Sequence, residues 1–132
     1  MKPIFADSFY FIALANPSDQ AHSQANKFNA IGLPLFTTSW VLTEVGDAFC
    51  AVKNRALFLD LLELLQRLPD VKVIPFSEDL FQRGVELFRQ RADKDWPLTD
   101  CISFVAMENE GVTDALTGDR HFEQAGFRAL LK

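Results

Sequence analysis

Four acidic side chains stand where apolar elements begin or end, or inside one. Asp7 closes the stretch Pro3–Asp7 (PIFAD), and Glu44 sits among Val41, Leu42, Val45 and Ala48. Asp100 stands at the mouth of an apolar helix, and Asp119 follows the short apolar segment TDALTG. Each has an ordinary use when taken alone. Asp starts turns and caps helices. A helical Glu usually faces water. An acid in a first helical turn gains about 0.3–1 kcal/mol from the helix dipole. Taken together the four conflict, because clustered carboxylates repel and either shift their pKa or weaken the fold unless a counter-ion intervenes. A hard divalent cation resolves the conflict: Mg²⁺ takes oxygen ligands, keeps several waters and binds one or two carboxylates directly. Such a site suits phosphodiester hydrolysis, since the metal acidifies a bound water and neutralises charge developing on phosphate. Zinc is disfavoured, because His22 and His121 are the only histidines and no His–Cys ligand set exists.

The elements that must bring these acids together are legible in outline. PIFAD reads as a short buried strand, and SFYFIALA as a helix closed by the turn NPSD. A second helix runs from an N-cap at Asp19 to Ile31, with Ala21, Ala25 and Phe28 in helical spacing and Gly32 as its stop. LPLFTTS is the next strand, and Ser39 is the expected cap of a helix whose apolar stripe Val41, Leu42, Val45, Ala48, Phe49 and Val52 reaches Asn54. Phe58, Leu61, Leu62, Leu65 and Leu68 mark a further helix that Pro69 terminates. VKVIP is a third strand, and Ser77 opens a helix carrying Leu80, Phe81, Val85 and Phe88. Thr99 is the expected N-cap of a helix that is apolar nearly all round, so it belongs inside the protein, and Gly111 ends it. TDALTG gives strand four, DRHFEQA a helical turn and FRALL a short fifth strand. Strands alternating with helices imply a parallel sheet covered on both faces. Ligands of such sheets gather beyond the strands' carboxyl ends, at the point where strand order reverses. Asp7 and Asp119 both lie at strand carboxyl ends in this reading.

Composition sets the bounds. The 132 residues fit one domain, 1–132, and a hydrophobic content of 48%, with thirteen Phe, is enough for a real core. Cys50 and Cys101 both fall in apolar helical patterns and are expected as buried, reduced thiols. FYFIALANPS ends in a small-x-small pattern, but Asp7 interrupts its apolar region, so it is not read as a signal peptide. No apolar run approaches the length of a membrane span, and a cytoplasmic location is expected. The net charge of −5 argues against non-specific coating of nucleic acid, though not against a local basic rim around an acidic centre.

Three stretches carry a resemblance to a known family. FADSFYFIALANPSDQAH, SWVLTEVGDAF and KDWPLTDCISFVAMENEGVTDALTGDRHFEQAGF resemble PIN-domain ribonucleases, especially VapC-type toxins of toxin–antitoxin systems. The likeness spans essentially the whole chain, and the last block is its most specific part. It implies a three-layer α/β fold with a five-stranded parallel sheet. It implies that Asp7, Glu44, Asp100 and Asp119 form a catalytic metal site for Mg²⁺ or Mn²⁺, supported by the hydroxyls of Ser8 and Thr117. It also implies an RNA substrate, a homodimer and a neutralising antitoxin partner.

Other residues are weighed against bland roles. Lys53, Arg55, Arg89, Arg91, Lys94 and Arg120 could steer a phosphate backbone, or be ordinary solvated loop charge. Dimerisation would merge two such rims into one groove. His121 could approach phosphate, but a turn residue pointing to water is the expected reading, and His22 reads as surface or local packing. Trp40 and Trp96 could stack bases, yet packing at the core or a helix edge is expected for both. Asp47, three residues after Glu44, is expected either to support the acidic site or to face water, and Asp95 and Asp114 to lie at loop edges. Rival functions remain a non-catalytic PIN scaffold that binds RNA or protein, and a metal-dependent phosphatase. Haloacid-type phosphatases need a second acid two residues after the first, where this chain has Phe9.

Overall fold

Parallel strands cannot be joined by tight hairpins, so each strand of this chain is followed by helical crossover structure before its neighbour is reached. The structure is a computed structural model that describes residues 2–132. Its elements are β1 (Ile4–Ala6), α1 (Ser8–Ala15), α2 (His22–Ile31), β2 (Leu35–Thr38), α3 (Ser39–Ala48) and α4 (Arg55–Arg67). They continue with β3 (Val71–Ile74), α5 (Glu78–Gln90), α6 (Leu98–Glu110), β4 (Asp114–Leu116), α7 (Arg120–Gln124) and β5 (Arg128–Ala129). A single 3₁₀ turn, Val52–Asn54, precedes α4. The five strands form one sheet in the order β3-β2-β1-β4-β5, and every neighbouring pair is parallel. The chain moves outward from β1 through β2 to β3, then returns to add β4 on the other flank of β1. Strand order therefore reverses between β1 and β4, with Phe5 opposite Ala115 and Ala6 opposite Leu116. The carboxyl ends of these two strands open the crevice in which doubly wound sheets bind ligands.

The helices pack on one another without a break, α3 touching both α1 and α6. Helix α1 packs on α2, α3 and α4, while α5 lies along α6 and α7 packs on α6. In α6 the residues from Asp100 to Met107 are all buried, as an all-round apolar helix requires. Its close packing on α5 depends on Gly84, where an added Cβ would stand 2.4 Å from Ile102 Cγ1. Gly111, at φ +66°, gives α6 the left-handed C-cap that its sequence position predicts. Below the sheet end, Phe104 meets Phe122 edge-on at 4.9 Å, and Phe5 stacks on Phe122 at 6.1 Å. Trp96 is core, with its indole N–H donating to Gln124 Oε1 at 2.9 Å, and Trp40 packs edge-on against Phe76.

Several boundaries differ from the sequence expectation, each for a local reason. Thr38 rather than Ser39 caps α3, its Oγ1 accepting from the Val41 N–H at 3.1 Å. Asp19 does not cap α2. Its carboxylate accepts from the Ala21 N–H in a turn, and the helix starts at His22. Thr99 lies inside α6, which begins at Leu98 after Pro97, consistent with proline's preference for the helix start. Helix α3 stops at Ala48, so the stripe expected to reach Asn54 is cut short. Val52 is exposed, and so is Cys50, which is not the buried thiol expected, while Cys101 is buried.

Candidate active site

Asp7 follows β1 directly and occupies the N-cap position of α1, yet its side chain makes no capping hydrogen bond. The carboxylate turns instead toward β4, where Thr117 Oγ1 donates to Asp7 Oδ2 at 2.8 Å. The other oxygen, Asp7 Oδ1, is buried without a partner, the one such side-chain atom among the described residues. A buried orphan acceptor is costly, on the order of 1–3 kcal/mol even when uncharged. Thr117 serves twice, because its Oγ1 also accepts from the Asp119 N–H at 3.1 Å. Asp119 caps α7, with its Oδ1 accepting from the His121 N–H at 2.9 Å. Between them Gly118 passes so close over Phe9 that a Cβ there would stand 2.5 Å from the ring.

Two helices supply the remaining acids. Glu44, on α3, accepts from Ser8 Oγ at 2.5 Å, so the first residue of α1 fixes it. Asp100, in the first turn of α6, is 4% exposed and accepts from His121 Nδ1 at 3.0 Å. The same Nδ1 is 3.3 Å from Asp119 Oδ1. Donor atoms of Asp100, Asp119 and His121 all lie within 4.8 Å of one another.

The electrostatics show that the four acids share one field. Burial raises the Asp7 carboxyl from 3.8 to about 7, helped by the charges of Asp100 and Glu44 and opposed by the Thr117 hydrogen bond. Burial likewise raises Asp100 to about 6, with the His121 hydrogen bond opposing and Asp119 and Glu44 adding repulsion. An orphaned buried carboxylate oxygen beside converging acids is a donor set suited to a hard divalent cation.

Asp7, Glu44, Asp100 and Asp119 thus converge, with Thr117 hydrogen-bonded to Asp7 and Ser8 to Glu44. His121 does not point to water. An Asx-type turn, in which the residue two positions after an Asp lends its N–H to that carboxylate, folds the ring back over the acids. The Asp-x-His spacing was the available signal. The basic residues divide into two groups. Arg89 pairs with Glu86, Lys94 with Asp93, and Arg91 pairs with Asp93 while stacking over Trp96. Lys53, Arg55 and Arg120 have no carboxylate partner among the described residues. His22 is local packing, its Nδ1 against Ala13 O at 2.7 Å. Asp114 pairs with Arg128, and Asp47 and Asp95 are exposed.

A reversed parallel sheet with carboxylates gathered at its switch point is the arrangement of the PIN domain, whose family model matches residues 4–128; the chain belongs to that family. At 26% identity it is similar to the 23S rRNA-specific endonuclease VapC20 of Mycobacterium tuberculosis, over 94% of this chain and 95% of that protein. The crystal structure of M. tuberculosis VapC20, described as a Sarcin-Ricin loop cleaving toxin, superposes with a TM-score of 0.84 at 25% identity, covering 94% of this chain and 95% of that one. The fold also matches FitAcB from Neisseria gonorrhoeae, with a TM-score of 0.65 at 16% identity, covering 96% of this chain and 95% of that one.

Proposed function

We propose that this chain is a divalent-metal-dependent endoribonuclease, the toxin of a toxin–antitoxin pair. In this reading Asp7, Glu44, Asp100 and Asp119 form the metal-binding catalytic set. The observation that carries it is the buried Asp7 carboxylate at the switch point, with one oxygen unpartnered and its charge opposed by that of Asp100. Full-length similarity to an rRNA endonuclease supports the same reading. A bound Mg²⁺ or Mn²⁺ supplies Lewis acidity toward a phosphodiester oxygen and an attacking water. The chain's own residues do the positioning. Thr117 holds Asp7 and the Asp119 backbone, and Ser8 holds Glu44. Lys53, Arg55 and Arg120 are the cations best suited to meet RNA phosphates, since no carboxylate engages them, whereas Arg89, Arg91 and Lys94 are already compensated. A homodimer would place two such rims on one groove and reconcile RNA binding with the net charge of −5. An antitoxin that inserts a cation among the carboxylates would silence the site, in keeping with a cytoplasmic pair. No described helix is long and apolar enough to cross a membrane.

The first substrate to test is large-subunit rRNA, on which the relative is named as acting. Purified protein incubated with ribosomes should cut in Mg²⁺ or Mn²⁺, stop in EDTA and resume when metal is restored. Attack by water does not use the neighbouring 2′-OH, so the new ends should be 5′-phosphates. Full cleavage in chelator, or 2′,3′-cyclic phosphate ends, would sink the proposal. Metal binding without any cleavage would favour the non-catalytic scaffold.

A further inference from the structure

The geometry points to His121 as a direct metal ligand that makes the site mixed nitrogen and oxygen and biases it toward Mn²⁺ over Mg²⁺. This rests on the reading of the acidic cluster as a metal centre and deepens it. Nδ1 of His121 is 3.0 Å from Asp100 Oδ2 and 3.3 Å from Asp119 Oδ1. Two donors at right angles on one ion, with bonds of about 2.1 Å, stand about 3.0 Å apart. Nδ1 therefore already stands from each oxygen at the spacing of adjacent corners of a coordination polyhedron, and the three residues offer ligand atoms within 4.8 Å of one another. Without any ion, the His121 backbone is tied by its N–H to Asp119 Oδ1 at 2.9 Å and its ring by Nδ1 to Asp100 Oδ2. Its side chain is only 18% exposed, so it has little freedom to swing away. A second feature that asks for a cation is the partnerless buried Oδ1 of Asp7, whose carboxyl feels the charge of Asp100, a member of this triad.

The chemistry then decides which ion gains. Carboxylate and water serve Mg²⁺ and Mn²⁺ alike, whereas imidazole nitrogen suits first-row transition ions and gives little to Mg²⁺. To coordinate, Nδ1 must present its lone pair, and the proton it carries when donating to Asp100 resides on Nε2 instead. An all-oxygen quartet would leave the two ions nearly equivalent, and the histidine breaks that equivalence.

Pulsed electron paramagnetic resonance of Mn²⁺ bound to the full chain, without RNA, tests the assignment. The expected result is a ¹⁴N imidazole coupling that changes to the ¹⁵N pattern when histidine is labelled and disappears in His121→Asn. Asn can keep a hydrogen bond to Asp100 while lacking the imidazole nitrogen. By calorimetric titration His121→Asn should weaken Mn²⁺ by ~10–100-fold, the scale on which metal sites respond to altered ligand environments, and Mg²⁺ much less. Bound Mn²⁺ with no histidine coupling in the unaltered protein overturns this assignment and leaves the nuclease reading standing. Failure of Mn²⁺ to bind at all overturns both. Equal weakening of Mg²⁺ and Mn²⁺ in His121→Asn, with the coupling unchanged, reduces His121 to packing and refutes the assignment.

Discussion

The surroundings of Asp7 and Asp100 oppose their charged forms. Both carboxyls have native pKa values above the ordinary 3.8, to about 7 and about 6. Between the unfolded and native values the native state binds more protons, so stability falls as pH rises through that interval. The metal-free protein should therefore lose stability from about pH 4 to about pH 7 through these two groups and level off above. Each pKa unit corresponds to about 1.4 kcal/mol, so burying Asp7 costs on the order of what one or two fully buried core side chains contribute. Asp100→Asn removes one charge with little change of shape. In EDTA at pH 8 it should be as stable as the parent or more so, by ~0.5–2 kcal/mol, the range found when functional sites are relieved, and it should not cleave RNA. If Asp100 were only a helix-start acid, the mutant would lose about 0.3–1 kcal/mol and stay active. Chemical denaturation beside a cleavage assay separates the two. Thr117→Val removes the donor to Asp7 Oδ2 and the acceptor of the Asp119 N–H. It should lower kcat well below the parent and flatten Mn²⁺ affinity while the far-ultraviolet circular dichroism stays native, and wild-type kinetics would refute its positioning role.

At the scale of elements, the sequence was most readable where one element made its own case. Helix α6 is apolar nearly all round and ends in a glycine, so both its burial and its stop were visible. The ends of β1 and β4 were visible because an acid follows each apolar run. N-caps were read unevenly: Ser77 caps α5 as its sequence suggests, whereas the starts of α2, α3 and α6 differ. Thr38 and Ser39 are adjacent hydroxyl residues, equally eligible, and only the backbone's entry angle selects Thr38. Cys50 was misjudged for a related reason: its burial depended on α3 continuing past Ala48, and the chain turns instead. Beyond the Asp-x-His spacing, the contact of His121 with Asp100 was not visible in sequence, because α7 meets α6 only through tertiary packing, and no periodicity reports that. Gly84 was equally silent in sequence. Gly84→Ala gains up to about 1 kcal/mol in helix propensity, but it forces a Cβ into Ile102. Overpacking of this kind costs about 1–3 kcal/mol, so a net loss of stability is expected, with full metal binding retained at low temperature. A stabilised Gly84→Ala protein would show that α5 and α6 can move apart freely.

At the scale of the molecule, a cation that binds the folded protein alone stabilises it by mass action. At one hundred times its dissociation constant this amounts to about 2.7 kcal/mol. Differential scanning calorimetry should show a clear rise in Tm on adding Mn²⁺, and the rise should vanish in Asp7→Asn and Asp100→Asn. An unchanged shift in either variant would move the ion elsewhere. Placement of the acids around one crevice was inferable from alternating strands and helices, because the reversal of strand order between β1 and β4 dictates where such crevices form. The depth at which Asp7 sits, and its unpartnered oxygen, belong to packing and had no trace in the sequence.

The bond from Thr117 to Asp7 joins positions 110 residues apart. During synthesis, therefore, the growing polypeptide carries only scattered acids until β4 and the turn after it have emerged and docked beside β1. No shorter nascent chain owns a complete set of groups. A chain with the proposed nuclease activity would thus be inert for most of the time it spends being made on a ribosome, gaining reactivity only once Thr117 has met Asp7. Chains truncated before Thr113 should accordingly be inert in cells even at high expression.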